Sequence, residues 1–364
     1  MAEWRYKSQA AQVVGAVTSL DFCAAQPHDF CASAGTRLHV FDGTSSAVKR
    51  QFARFKDKAY GGSFRRDGRL IVAGGEDAVV QVFDSGSRAL LRQLKGHKAP
   101  VHVARFAADQ LHVLSGGDDG VVAVWDVTSG QQVSSMLGHS DYVRSAVCSP
   151  ASEEVWATSG YDHICKLWDA RQRRCLLSVN HGAPIESAAF FPSGSLLVTA
   201  GGSDLCIWHV LQSGQLVQRV TAHQKTVTSV AIAALAGPQP HVVSAGLDGH
   251  VKVLDWETFQ PSTVHKYPVP VLSLAASPAA EVLAAGMADG ALSIHRRKQG
   301  AATLAPSPAR LRWRPERLLP KMETLSVAFQ NRTRGGGHGT SHYFPSSITW
   351  EHSKKRCARN GMRR

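Results

Sequence analysis

A period of about 42 residues runs through most of the 364-residue chain. An apolar residue followed five positions later by a second recurs as Val17/Phe22, Ala59/Phe64, Val101/Phe106, Val143/Cys148, Ile185/Phe190, Val227/Ile232 and Val271/Ala276. Successive pairs are 42 residues apart five times and then 44. A bulky strand-ending residue recurs in phase with them: Phe41, Phe83, Trp125, Trp168, Trp208, Leu254 and His295. The two series stay in step while the distance between them wobbles slightly, as loop insertions inside a repeated unit produce. Repetition at this period marks one small structural unit copied along the chain, each copy unable to bury its faces alone.

Each unit reads as short strands separated by turn residues. In the third, VHVARF, LHVLSG, VVAVWDV and QQVSSML are divided by AADQ, GDDG and TSG. Runs of four to seven Val-, Leu- and Phe-rich residues bounded by Gly, Asp and Ser are strand signals. Four such strands per repeat make one blade, and seven blades closing on themselves make an all-β, seven-bladed β-propeller. Ring closure requires a strand from the far end of the chain. Beyond Arg297 the sequence KQGAATLAPSPAR is a poor strand, so the closing outer strand is expected from the N-terminus, around Arg5–Gln12. Its apolar content is small (Trp4, Tyr6, Ala10, Ala11), which predicts the softest seam of the ring. The expected organisation is a closing strand at 1–12, a propeller over 13–297 and a mostly disordered basic tail over 298–364.

Charge supports that division. The net charge of +13 lies entirely in residues 296–364, which hold 16 Lys and Arg against Glu316, Glu323 and Glu351; residues 1–295 are balanced. A low-complexity basic segment of this kind rarely buries enough apolar surface to order itself. No apolar run approaches the roughly 20 residues of a membrane span, and MAEWRYKSQAAQ lacks the apolar core of a signal peptide. The seven cysteines form no CxxC pair and read as buried thiols of a reducing compartment rather than disulfides or zinc ligands.

No motif for chemistry emerges. GxSxG, HExxH and Walker sequences are absent, and the Gly-Gly pairs at 74, 116 and 201 follow strands as turn residues. His97, His139, His181 and His223 recur at one repeat position, which points to a structural role. No enzyme activity, cofactor, metal site or small-molecule substrate is therefore expected. Binding is what the architecture offers, and two sets of cations are candidates for RNA or acidic partners. In the second unit, Arg54, Lys56 and Lys58 lie between an outer and an inner strand. Arg65, Arg66 and Arg69 lie in the next hairpin turn, on the opposite face; solvated turns are the alternative reading. In the tail, Arg310, Arg312, Arg314 and Arg317 surround Trp313, a pattern suited to sequence-tolerant contact with single-stranded RNA. Arg296-Arg297-Lys298 and Lys354-Lys355-Arg356 match short nuclear import signals.

The chain resembles WD40 repeats. Gly96-His97 and Gly138-His139 look like the family's GH dipeptide, and Phe83-Asp84, Trp125-Asp126 and Trp168-Asp169 look like its WD ending. The resemblance implies buried hydrogen-bond tetrads at His97, Ser115, Asp119 and Trp125, and at His139, Thr158, Asp162 and Trp168. It also marks departures: Leu254 replaces Trp in unit six, the Asp of unit five is displaced, and Arg54-Phe55 stand where Gly-His belongs in unit two. Within WD40 proteins, Phe52–Asp84, His139–Ala146, Tyr161–Arg171, His181–Gly202 and His223–Val230 resemble the U3 small nucleolar RNA-associated protein 15 family. That family is a nucleolar, non-enzymatic scaffold of the small-subunit processome, in the UTP-A (t-UTP) subcomplex. The resemblance implies sibling WD40 subunits, the U3 snoRNP and the 5′ external spacer of pre-rRNA as partners. It also implies roles in 18S rRNA processing and in transcription by RNA polymerase I, and a location in the nucleus and nucleolus. No counterpart of the family's helical C-terminal domain is apparent, which makes the chain look like a shortened form. Trp168-Asp169-Ala170-Arg171 also resembles words found in substrate receptors of cullin ubiquitin ligases, the competing reading.

Overall fold

The computed structural model describes residues 6–233 and 239–297. Among these residues there are 28 β-strands and no helix, arranged as seven four-stranded antiparallel sheets. The innermost strand of each sheet packs beside those of the sheets before and after it, and the seventh returns to the first. The result is a seven-bladed propeller around a central channel.

The repeat landmarks fall on defined places in this ring. Six of the seven apolar pairs open and end the innermost strand of their blade: Val17–Phe22, Ala59–Phe64, Val101–Phe106, Val143–Cys148, Ile185–Phe190 and Val271–Ala276. In blade six the strand runs one residue further, Val227–Ala233. The bulky landmarks sit at or near the end of the third strand, as Trp125 does in Val121–Asp126. Burial follows position in the blade. The second strands Leu70–Gly75, Leu196–Gly201 and Val282–Met287 are buried at every residue, because neighbouring blades cover both of their faces. The outermost strands, such as Leu90–Lys95, are largely exposed and carry Arg, Gln and Lys along the ring's rim, residue types that discourage edge-to-edge pairing.

Two local features shape the channel. Inner strands bulge between their first and third residues in six blades. In blade two the irregularity lies between Tyr60 and Ser63. There Gly61 has a φ of +53°, and a Cβ on it would stand 2.5 Å from the His102 carbonyl oxygen and 2.9 Å from Val103 Cα. Only glycine allows blade three to approach so closely.

Ring closure uses the N-terminal segment. Strand Tyr6–Gln12 lies antiparallel to Ala291–Arg297, in register from Tyr6 opposite Arg297 to Gln12 opposite Ala291. The backbone N–H of Val13 extends the ladder to the Gly290 carbonyl at 2.9 Å. Behind this seam, Val13, Val17, Phe30 and Phe41 form one apolar cluster with Leu292 and Ile294. Val13 thus adds apolar contact next to a strand that is itself weakly apolar. The basic tail and its candidate residues Arg310, Arg312, Arg314 and Arg317 lie outside the described residues.

Candidate partner and RNA interfaces

The recurring histidines are fully engaged in the blades. In blade three, His97 Nδ1 lies 2.8 Å from Asp119 Oδ2 and its Nε2 lies 2.7 Å from Ser115 Oγ. The indole Nε1–H of Trp125 donates to the same Ser115 oxygen at 2.7 Å. Blade four repeats the set through His139, Asp162, Thr158 and Trp168 at 2.8, 2.8 and 2.7 Å. The consistent assignment has imidazole donating from Nδ1 to the carboxylate and accepting the hydroxyl proton at Nε2, so each buried polar group has a partner. Burial pushes the His139 pKa down despite Asp162 beside it, and the ring stays neutral.

The degenerate blades solve the same problem differently. In blade five His181 turns over: Nδ1 meets Thr199 Oγ1 at 2.8 Å, and Nε2 donates to the Gly201 carbonyl at 3.0 Å. A backbone oxygen takes the place of the displaced Asp, while Trp208 still donates to Thr199 at 2.9 Å. Blade six keeps His223 between Asp248 and Ser244 at 3.0 and 2.8 Å. Although burial opposes it, the His223 bond and the N–H groups of Gln224 and His250 hold the Asp248 carboxyl down at about 2. Blade two has Phe55, Ala73 and Phe83 in place of His, Ser and Trp, the two rings 5.7 Å apart, and keeps only the carboxylate, Asp77, which accepts the Val79 N–H at 3.3 Å. None of these groups is free to act on a ligand.

The cations of unit two divide between the two faces. Arg54, Lys56 and Lys58 are exposed in the connection at 53–58, with Asp57 among them. Arg65, Arg66 and Arg69 lie in the hairpin at 65–69 on the other face. There Arg65 is spent on Asp67 through two hydrogen bonds of 2.9 and 2.5 Å. Arg66 and Arg69 are exposed, and the structure adds two arginines to their corner. Ser85 N–H donates to the Arg69 carbonyl at 2.8 Å, and the Ser85 carbonyl accepts from Arg50 at 2.5 Å. Arg88, exposed, follows in the same turn. The turn's Asp84 carboxylate accepts the N–H groups of Gly86 and Ser87 at 2.6 and 2.8 Å, which hold its pKa down. Arg50, Arg69 and Arg88 therefore gather around the Ser85 turn on one face, beside Asp67 and Asp84, with Arg66 in the same hairpin as Arg69. Arg88 escaped sequence reasoning because its neighbours in space come from a different hairpin.

On that same face the channel opens into a cavity of about 500 Å³ where the inner strands of blades one to six end. Phe22, Phe64, Phe106 and Phe190 contribute to its wall, with Arg66 and Arg105 at its margin. Asp21 of blade one reaches Arg105 of blade three at 3.4 Å and accepts the Phe64 N–H at 2.9 Å. Cys148 also lines the cavity, and burial pushes its thiol up to about 11, so it is a neutral wall group. At the opposite mouth the tyrosines are paired with carboxylates. Tyr60 donates to Glu76 at 2.5 Å, and Arg144 lies 4.8 Å over the ring of Tyr161, which donates to Glu186.

The model of the family described as "WD domain, G-beta repeat" matches residues 88–126, 130–169, 173–209 and 214–255. The chain contains WD40 repeats. The four matched stretches end in blades three to six, the blades that hold His97, His139, His181 and His223. Over the ring, this WD40 chain is similar to curated proteins named U3 small nucleolar RNA-associated protein 15 homolog. The Bos taurus protein is 49% identical over 287 residues, covering 79% of this chain and 55% of the relative. The Homo sapiens protein is 47% identical with the same coverage, and the Xenopus tropicalis protein is 38% identical over 297 residues, 81% and 57% of the two chains. The WD40 chain thus spans little more than half the length of these relatives.

Proposed function

We propose that this chain is a non-catalytic scaffold of ribosome biogenesis, acting in the small-subunit processome with the U3 snoRNP. The observation that carries this reading is the similarity to U3 small nucleolar RNA-associated protein 15 homologues, 38–49% identity across about four-fifths of the chain. The tetrads support it, because every histidine that recurs with the repeat is committed to holding a blade together. On this reading the chain works in the nucleolus, joins WD40 subunits of the UTP-A subcomplex on the 5′ external spacer, and supports 18S rRNA processing and RNA polymerase I transcription. RNA phosphates would meet Arg50, Arg66, Arg69 and Arg88 on one face, with Arg54, Lys56 and Lys58 offering a separate contact on the other face. Arg310, Arg312, Arg314 and Arg317 would add contacts from the tail.

Affinity purification from nucleolar extract tests the scaffold. Recovery of sibling processome subunits and precursor rRNA supports it, whereas recovery of cullin adaptors without them replaces it with the ubiquitin-ligase reading. The RNA contacts are tested separately by titrating single-stranded RNA against the full chain and residues 1–297 over a range of salt. Each lost phosphate contact lowers the log–log salt slope by about 0.7, so equal slopes for both chains exclude the tail.

A further inference from the structure

We propose that the channel mouth beside Arg66 and Arg105 docks a short acidic segment of a partner protein, one apolar side chain entering the cavity and flanking carboxylates meeting the two guanidinium groups. This goes beyond the ribosomal reading and holds for whatever assembly the ring joins.

Three observations point to this occupant. The first is charge. Two guanidinium groups and one carboxylate line the cavity. Arg66 is exposed and meets no carboxylate within hydrogen-bond distance among the described residues, its backbone N–H alone bonding Gln110 at 2.8 Å. Arg105 touches Asp21 through a single nitrogen at 3.4 Å, leaving its other donors for a ligand. The second is the wall. About 500 Å³ bounded by phenylalanine, proline and valine lies within the size range of ligand pockets, and such a wall favours an apolar anchor over a purely ionic one. The third separates protein from nucleic acid. Stacking a base requires an open ring face, yet Phe64 and Phe106 are each 8% exposed and their rings belong to the apolar clusters between blades. The Phe22 ring lies 5.1 Å from that of Phe30. Of the four phenylalanines in the wall only Phe22 and Phe190 are partly exposed, and each packs against an apolar cluster, which favours an inserted side chain over a stacked base. At the other mouth Tyr60 and Tyr161 already donate to carboxylates, and the Arg144 guanidinium, its Nε buried without a partner, lies over the rings of Tyr142 and Tyr161.

The test uses the full chain and a panel of fluorescein-labelled decapeptides, each with one Leu, Phe or Trp flanked by glutamates, beside the same panel flanked by lysines. Fluorescence anisotropy is expected to show binding of the glutamate panel only, weakening with salt. Arg66→Glu is expected to reduce affinity at least tenfold. Ala189→Trp, which fills the cavity from blade five, is expected to do the same, with thermal unfolding checking that the ring is intact. Lys225→Glu, exposed on the opposite face, is expected to bind as the parent does. Equal binding of both panels, or no binding by either, overturns the proposal. A uridine dodecamer that displaces the peptides and loses affinity in Ala189→Trp overturns it in favour of RNA. RNA binding that responds to Arg66→Glu but not to Ala189→Trp, alongside peptide binding that responds to both, supports it.

Discussion

Asp21 and Arg105 stand 84 residues apart, two repeats, and meet at 3.4 Å across the channel mouth. They occupy the same place in the inner strands of blades one and three, so their contact spans blade two. Asp21 also accepts the Phe64 N–H of that intervening blade. The two bonds differ in worth. Arg105 is 39% exposed, and water weakens its pairing, so Arg105→Met is expected to cost less than about 1 kcal/mol. Asp21→Ala strips a partly buried N–H of its acceptor and is expected to cost about 1–3 kcal/mol. Urea unfolding of both variants and the double mutant measures each contribution; equal losses would contradict this ordering.

The tetrads give a graded set of expectations. Ser115→Ala leaves both the Trp125 indole N–H and the His97 Nε2 without partners, and Thr158→Val does the same to Trp168 and His139. Each is expected to cost about 2–4 kcal/mol, from roughly 1–3 kcal/mol per stranded buried group. Ser244→Ala strands only His223, since Leu254 replaces the indole, and is expected to cost about half as much. Thermal or chemical unfolding of the three variants checks the order.

Protonation links stability to pH. His139, His181, His223 and His295 all titrate below their ordinary value of 6.5 in the folded ring, burial being the main cause. His295 falls to about 4, with His265 stacked on it adding to the effect of burial. Below pH 6.5 the unfolded chain takes up protons that the folded chain resists. Stability is therefore fully present above pH 6.5 and declines as pH falls towards 4. His295 alone accounts for at most about 3 kcal/mol over that interval. Urea midpoints measured from pH 8 to pH 4 are expected to stay flat and then fall, with His295→Gln flattening the fall.

Closure offers a fourth test. Strand Tyr6–Gln12 is held by its ladder to Ala291–Arg297 and has few apolar residues in its sequence. Its amides are expected to exchange with solvent sooner than those of the buried strands Leu70–Gly75 and Leu196–Gly201. Hydrogen exchange finding all three equally protected would remove the weak seam. Deleting residues 1–12 is expected to lower the unfolding midpoint of the whole ring rather than of blade seven alone, since the blades support one another.

The seven blades were legible because the landmark pairs mark the inner strands, and a strand buried between sheets must be apolar at the same places each time. The positions of His97 and His139 were legible for the same reason. Blade five was not, because its substitute acceptor is the Gly201 carbonyl, and a backbone oxygen carries no residue signature. The channel mouth was hidden for a different reason: Arg105 sits in VHVARF, which reads as an ordinary core strand. Only the ring brings it to Asp21 and Arg66, residues 84 and 39 positions earlier in the chain. Lys49 shows the opposite case. It is one cation of a basic run in the sequence, yet it is committed to Asp29 and Asp42 at 2.9 and 2.7 Å.

Pairing the earliest described strand with the last one also has a temporal cost. A growing polypeptide emerges with Tyr6–Gln12 unpaired and must synthesise some 280 further residues before Ala291–Arg297 exists to receive it. At cellular translation speeds of about 5–20 residues per second, that wait is roughly 15–60 s. During it, Val13 and Val17 have no blade-seven cover, and the apolar cluster they share with Leu292 and Ile294 stays open until translation passes residue 297.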